Sequence, residues 1–154
     1  MPIPAPATAA GPLRAPRAAR ISAAMLAGLA LATLITASLL TPDPSGMGTH
    51  QRLGLPPCGW LLATGYPCPT CGMTTAFAAA AHAQPRASWH AQPFGALLAL
   101  GTAVFFWGAL HVAAFGSNLG RVFERLLAPR WLWPGLALFL AAWAWKVWQV
   151  RSGG

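Results

Sequence analysis

The chain has 154 residues, 56% of them apolar and 8% charged, with a formal charge of +8 from ten basic residues against two acids. An average soluble protein is roughly 25% charged, and one core of this length cannot bury so much apolar surface, so the composition excludes an ordinary soluble domain. The arginines lie at the edges of apolar runs rather than along one stripe, and no nucleic-acid motif is present, so the charge points to lipid headgroups and away from nucleic acid.

In chain order, residues 1–20 carry Pro2, Pro4, Pro6, Pro12 and Pro16 among alanines, close on Arg14, Arg17 and Arg20, and show no apolar periodicity. They predict a disordered basic tail. Ile21 to Leu40 are uncharged, and a helix of that length spans about 30 Å, the thickness of a bilayer's hydrocarbon core. The run exceeds the roughly 7–15 apolar residues of a cleaved signal, and no A-x-A site precedes Pro42, so it predicts an uncleaved first span. Ala24, Gly28 and Ala32 form a row of small residues along which a second helix can approach, from a membrane partner or a second copy of the chain. Residues 41–57, with Pro42, Pro44, Gly46, Gly48, Pro56 and Pro57, predict a turning connection.

The stretch from Cys58 to His82 carries no charge, yet Gly65, Pro67 and Pro69 interrupt it. Backbone groups freed there cannot be satisfied by lipid. Residues 58–83 therefore predict an apolar segment around Trp60, a turn, and a short helix of about Gly72 to Ala83 that lies at the interface or re-enters the membrane partway, with Ala76, Ala79 and Ala80 packed on the spans. Residues 94–115 predict a second span opened by Pro93. Over 117–128, Leu119, Val122, Phe123, Leu126 and Leu127 recur at helical spacing opposite Arg121, Glu124 and Arg125, which predicts an amphipathic surface helix or an extension of the second span. Residues 131–148 predict a third span, with Trp131 and Trp133 at one end, Trp143, Trp145 and Trp148 at the other, and Lys146 snorkelling to headgroups.

The expected fold is all-α: an integral membrane domain over residues 21–149 with about three transmembrane helices and a short interfacial or re-entrant helix. Arg14, Arg17, Arg20, Arg121, Arg125 and Arg130 fall on one side and Arg52, Arg86, Lys146 and Arg151 on the other. The positive-inside bias then places the N-terminus in the cytoplasm and Cys58 outside the inner membrane.

All three cysteines, Cys58, Cys68 and Cys71, lie within 14 positions, so their chemistry is local. Cys68-Pro69-Thr70-Cys71-Gly72 admits three uses. As a redox pair, Cys68 would sit at the start of a helix beginning near Pro69, where the helix dipole favours a thiolate, and Cys58 would attack a mixed disulfide. As a metal site, the turn resembles the knuckle of a zinc ribbon. The cysteines then supply three ligands and His50, His82 or His90 the fourth. As a staple, Cys58 would bond Cys68 or Cys71 and tie the outer loop. Asp43 is the only acid on that side, which argues against hydrolytic catalysis, since metal-assisted hydrolysis usually needs a general base. His111 falls within the second span, far from the cysteines, and reads as a hydrogen-bonded packing residue.

These residues resemble a bacterial membrane-protein family catalogued as domain of unknown function 2752. Its members are short multi-helix proteins with a Thr-Gly-x-x-Cys-Pro-x-Cys-Gly-x-Thr-Arg stretch, an upstream cysteine and an Asn-Pro dipeptide before the next span. Thr64, Gly65, Cys68, Pro69, Cys71, Gly72 and Thr74 match, Cys58 fits the upstream cysteine, and the resemblance covers roughly residues 55–105. Thr75 stands where the family usually has arginine, and Gln92-Pro93 stands for Asn-Pro. The resemblance implies a membrane protein with this cysteine motif and names no reaction.

Overall fold

The computed structural model describes residues 14–126 and 128–152. Pro16 holds an extended conformation, and helix α1 follows it over Arg17–Leu39. The helix thus begins before Ile21: Arg17 and Arg20 are good helix formers and prolong the apolar run by a turn. Residues 1–13, most of the expected tail, lie outside the described residues.

Past the connection, which contains a 3₁₀ turn over Thr49–Leu53, come three short helices: α2 Gly59–Thr64, α3 Met73–Ala81 and α4 Pro85–Ala91. At nine residues α3 is about 13 Å long, too short to cross a bilayer. Its Ala76, Ala78 and Ala79 are wholly buried, which lets α3 sit closely among α1, α4 and α5. The hydrophobic pattern does not announce α4. Pro85 opens it at the first helical position, and Ser88 locks it to α3 through a bond from its hydroxyl to Ala76 O, 2.7 Å.

Helix α5, Pro93–Phe115, is capped at its start by Gln92, whose side-chain oxygen accepts from Gly95 N at 2.8 Å. It lies antiparallel to α1. Ala15 N donates to Gly116 O at 2.8 Å, and the Arg20 guanidinium donates to Ala113 O and Ala114 O at 3.0 and 3.1 Å, satisfying carbonyls that a helix end leaves free. Small side chains line the seam: Ala27, Ala30 and Ala37 are buried on α1, and Ala99 and Ala109 on α5. The row Ala24, Gly28 and Ala32 is exposed, and a side chain added at Gly28 would meet open space.

Gly116 takes a left-handed conformation and ends α5, so α6, Leu119–Leu126, is a separate helix and not a continuation. It folds back on α5: Phe123 meets Phe105 edge to face, centroids 5.2 Å apart, and its ring lies against Gly108, where a side chain would not fit. After a 3₁₀ turn at Pro129–Trp131, α7 runs over Leu132–Arg151. It touches α5 through Phe94 and Phe139 and reaches the cysteine segment through Trp143, whose indole donates to Pro67 O at 2.9 Å.

Among the described residues two helices, α1 and α5, are long and apolar enough to cross a membrane. Only 22% and 17% of their apolar windows are buried within the chain, whereas a core helix of a soluble protein is mostly buried. Met25, Leu29, Leu39, Leu100, Val104 and Trp107 all face outward. Helix α7 has the length, but four tryptophans and Lys146 make it less uniformly apolar.

Candidate thiol site

The cysteines sit where the short helices meet. Cys58 precedes α2, and Gly65, with φ of 72°, ends that helix. Thr64 closes the same end, its hydroxyl donating to Trp60 O at 2.8 Å and accepting from Tyr66 N at 3.2 Å. The chain then turns back through buried Pro67 into the Cys68–Cys71 turn, closed by Cys71 N donating to Cys68 O at 3.0 Å. Gly72, with φ of 89°, leads into α3. The helix therefore starts at Met73 and not near Pro69: the left-handed residue interrupts the run, and Cys68 lies in a turn ahead of the helix rather than in its first turn. Gly72 is also walled in by Ala91 O and Gly46 O, the latter 2.8 Å from where a Cβ would stand.

All three sulfurs lie within 4.8 Å of one another. Cys68 Sγ is 2.9 Å from Cys71 Sγ and 3.3 Å from Thr70 Oγ1, and Cys68 N donates to Cys71 Sγ at 3.2 Å. The three are free thiols, with Cys71 buried and the other two half-buried. Partial burial works against ionising Cys68, but hydrogen bonds with Cys71, Thr70 and Cys58 outweigh it and hold that thiol below its ordinary pKa. For Cys71 burial dominates and, with the neighbouring Cys68 and Cys58, pushes the thiol up to about 12. One sulfur is thus prepared to be an anion and its neighbour to be its hydrogen-bond donor.

The histidines separate by position. His50 lines a cleft of about 210 Å³ together with Cys58 and Cys71. His82 closes the far end of α3, its Nε2 3.1 Å from Leu40 O, and is not brought to the sulfurs. His90 lies on α4 against the Gln149 side chain, along another cavity. His111, exposed, lies at the opposite end of α5, with Nδ1 2.9 Å from Ser117 Oγ.

Several residues outside the cysteine turn hold the site. Gln92 is wholly buried and, besides capping α5, donates from Nε2 to Pro69 O at 3.3 Å. A polar residue just before a proline at a helix start is a capping signal, and it was available in Gln92-Pro93. Thr49 is buried too; its hydroxyl accepts from Asp43 N at 2.9 Å and lies 2.8 Å from Thr75 Oγ1. Lys146 is 5% exposed and turned inward against His90 O, so it does not snorkel outward. Thr75 and Lys146 line one cavity, so a cation reaches the space beside Thr75 from α7.

No curated protein and no solved structure matches the chain. Residues 58–107 match the model of a family described as "Protein of unknown function (DUF2752)". That match begins at Cys58 and takes in the cysteine turn, α2 to α4 and the first part of α5, so over this segment the chain is similar to that family.

Proposed function

We propose that the chain is a multi-pass membrane protein whose outer face carries a zinc site formed by Cys58, Cys68 and Cys71. The observation that carries the reading is the convergence of three sulfurs from two segments within 4.8 Å. Thiolates around tetrahedral zinc, bound at about 2.3 Å, stand about 3.8 Å apart, within the spread of these sulfurs. A disulfide staple would use only two of them. Zinc also displaces thiol protons, which offsets the cost of ionising buried Cys71. His50, on the same cleft, is the protein ligand best placed for the fourth position.

The membrane reading rests on the outward-facing apolar surface of α1 and α5 and on which groups share an end of the bundle. Arg20, Gly116 and α6 cluster at one end. The cysteine turn, the start of α5 and the last turns of α7 cluster at the other. Three crossing helices, with α2 to α4 entering from the outer side without crossing, satisfy that arrangement with the N-terminus inside. Metal analysis of protein purified without chelator is expected to find close to one zinc per chain, lost on Cys68→Ser or Cys71→Ser. Less than about 0.2 zinc, unchanged by these substitutions, rejects the site.

The lowered pKa of Cys68 favours a second reading, thiol-disulfide exchange. Cys68 thiolate would attack a partner disulfide and expel one partner thiolate; Cys71 would then attack Cys68, expel the second, and leave the pair oxidised by two electrons. A buried thiol near 12 attacks slowly at neutral pH, which ranks this reading second. Deprotonation creates the nucleophile, so a lowered pKa moves the rise in reactivity to lower pH. Alkylation of metal-free protein is expected to label Cys68 at lower pH than a free cysteine and Cys71 only in strong alkali. Equal labelling of both across neutral pH would contradict the assignment.

A further inference from the structure

A second cavity, of about 430 Å³, lies behind the cysteine turn between residues 42–46, α4 and the end of α7. Its volume is in the range of small-molecule sites. Lys146 is 5% exposed, and its ammonium has one protein acceptor, His90 O at 3.5 Å. Among the described residues no carboxylate pairs with it. Asp43, the acid on this cavity, is turned to its own loop, its carboxylate accepting from Ser45 N at 2.9 Å and Ser45 Oγ at 2.7 Å. A buried ammonium with one long hydrogen bond, no carboxylate partner and only the nearby Cys71 sulfur as a group that can become an anion beside it is costly, because an ion taken from water is compensated only by an opposite charge and by filling its donor positions.

We infer that this cavity binds a phosphate group, that of a phospholipid headgroup or of a small soluble phosphate ester, with Lys146 as its counter-charge and Gln149 on the same wall. The site is distinct from the sulfur cluster: none of the three cysteines lines it. A phosphate supplies both the charge and the several acceptor oxygens that the ammonium lacks, and its bulk suits the volume better than a lone water.

The test uses the full chain in detergent micelles, melted with millimolar inorganic phosphate in one arm and with added phosphatidylglycerol in the other. Wild type is expected to melt higher in at least one arm. A shift with phosphate alone assigns the site to soluble phosphates, and one with phosphatidylglycerol alone assigns it to lipid. Lys146→Met removes an uncompensated charge, so it is expected to melt at or above wild type without ligand and to lose the shift, while Lys146→Arg keeps it. Gln149→Glu places a carboxylate beside the ammonium and is expected to weaken binding about tenfold. The inference is overturned if neither probe shifts wild type, if Lys146→Met keeps the shift, or if Lys146→Met melts well below wild type, which would make the ammonium a structural tie to His90 O. Unchanged binding by Gln149→Glu also overturns it.

Discussion

The α1–α5 pair is closed differently at its two ends. At one, Arg20 clamps the last carbonyls of α5 and His111 meets Ser117, through half-buried or exposed groups that water can replace. At the other, Gly72, Gln92, Thr49 and Ser88 are buried, and Gln92, Thr49 and Ser88 are hydrogen-bonded to backbone groups, Thr49 also to Thr75, across α3, α4, α5 and the connecting loop. The first end joins two helices. The second fixes a turn in place, as preorganised ligands require, and buried polar groups there have no alternative partner. The thiol site lies at the end that tolerates least change.

Gly72→Ala is the substitution expected to sharpen this contrast most. Its Cβ would meet the carbonyls of Ala91 and Gly46, in a left-handed conformation that L side chains avoid, and a loss of about 4 kcal/mol or more is expected. Gly65 has a similar φ with open space around it, so Gly65→Ala is expected to cost about 1 kcal/mol. Equal melting temperatures for the two variants in detergent would break the distinction. Gln92→Ala removes the α5 cap and strands Pro69 O, and is expected to cost about 2–3 kcal/mol and to lower zinc retention. Denaturant unfolding with metal content measured on the same samples checks both. The smallest effect belongs to the other end: Arg20→Ala is expected to cost about 0.5–1 kcal/mol and to leave zinc content unchanged. A larger loss than that of Gln92→Ala would reverse the ranking of the two ends.

Much of the architecture was legible because it follows from local chemistry. Uncharged runs of about 20 residues need no partner to be read as long helices, and Gly65, Pro67 and Pro69 interrupt the 58–83 stretch wherever it packs. Cys68 and Cys71, three positions apart, had to lie close together, whereas Cys58 joins them only because α2 and the turn at Gly65 bring the chain back. Helix α4 was not legible, since it is held by contacts with α3 such as the Ser88 bond to Ala76 O rather than by a periodic apolar face. Nor was the small-residue seam of α1: Ala27, Ala30 and Ala37 are buried while Ala24, Gly28 and Ala32 are exposed, and an alanine-rich helix offers several such rows.

By itself, then, the sequence determined an all-helical chain with long apolar helices and a local thiol cluster, because hydrophobic run length and short covalent spacing act without long-range contacts. Tertiary structure alone decided which histidine shares a cleft with the sulfurs, which sulfur is prepared to ionise, and that Lys146 turns inward. Those outcomes depend on burial and on groups brought together across the chain: Gly72 with Gly46 and Ala91, His82 with Leu40, and Lys146 with His90. Electrostatic and desolvation energies belong to that environment and not to the residue.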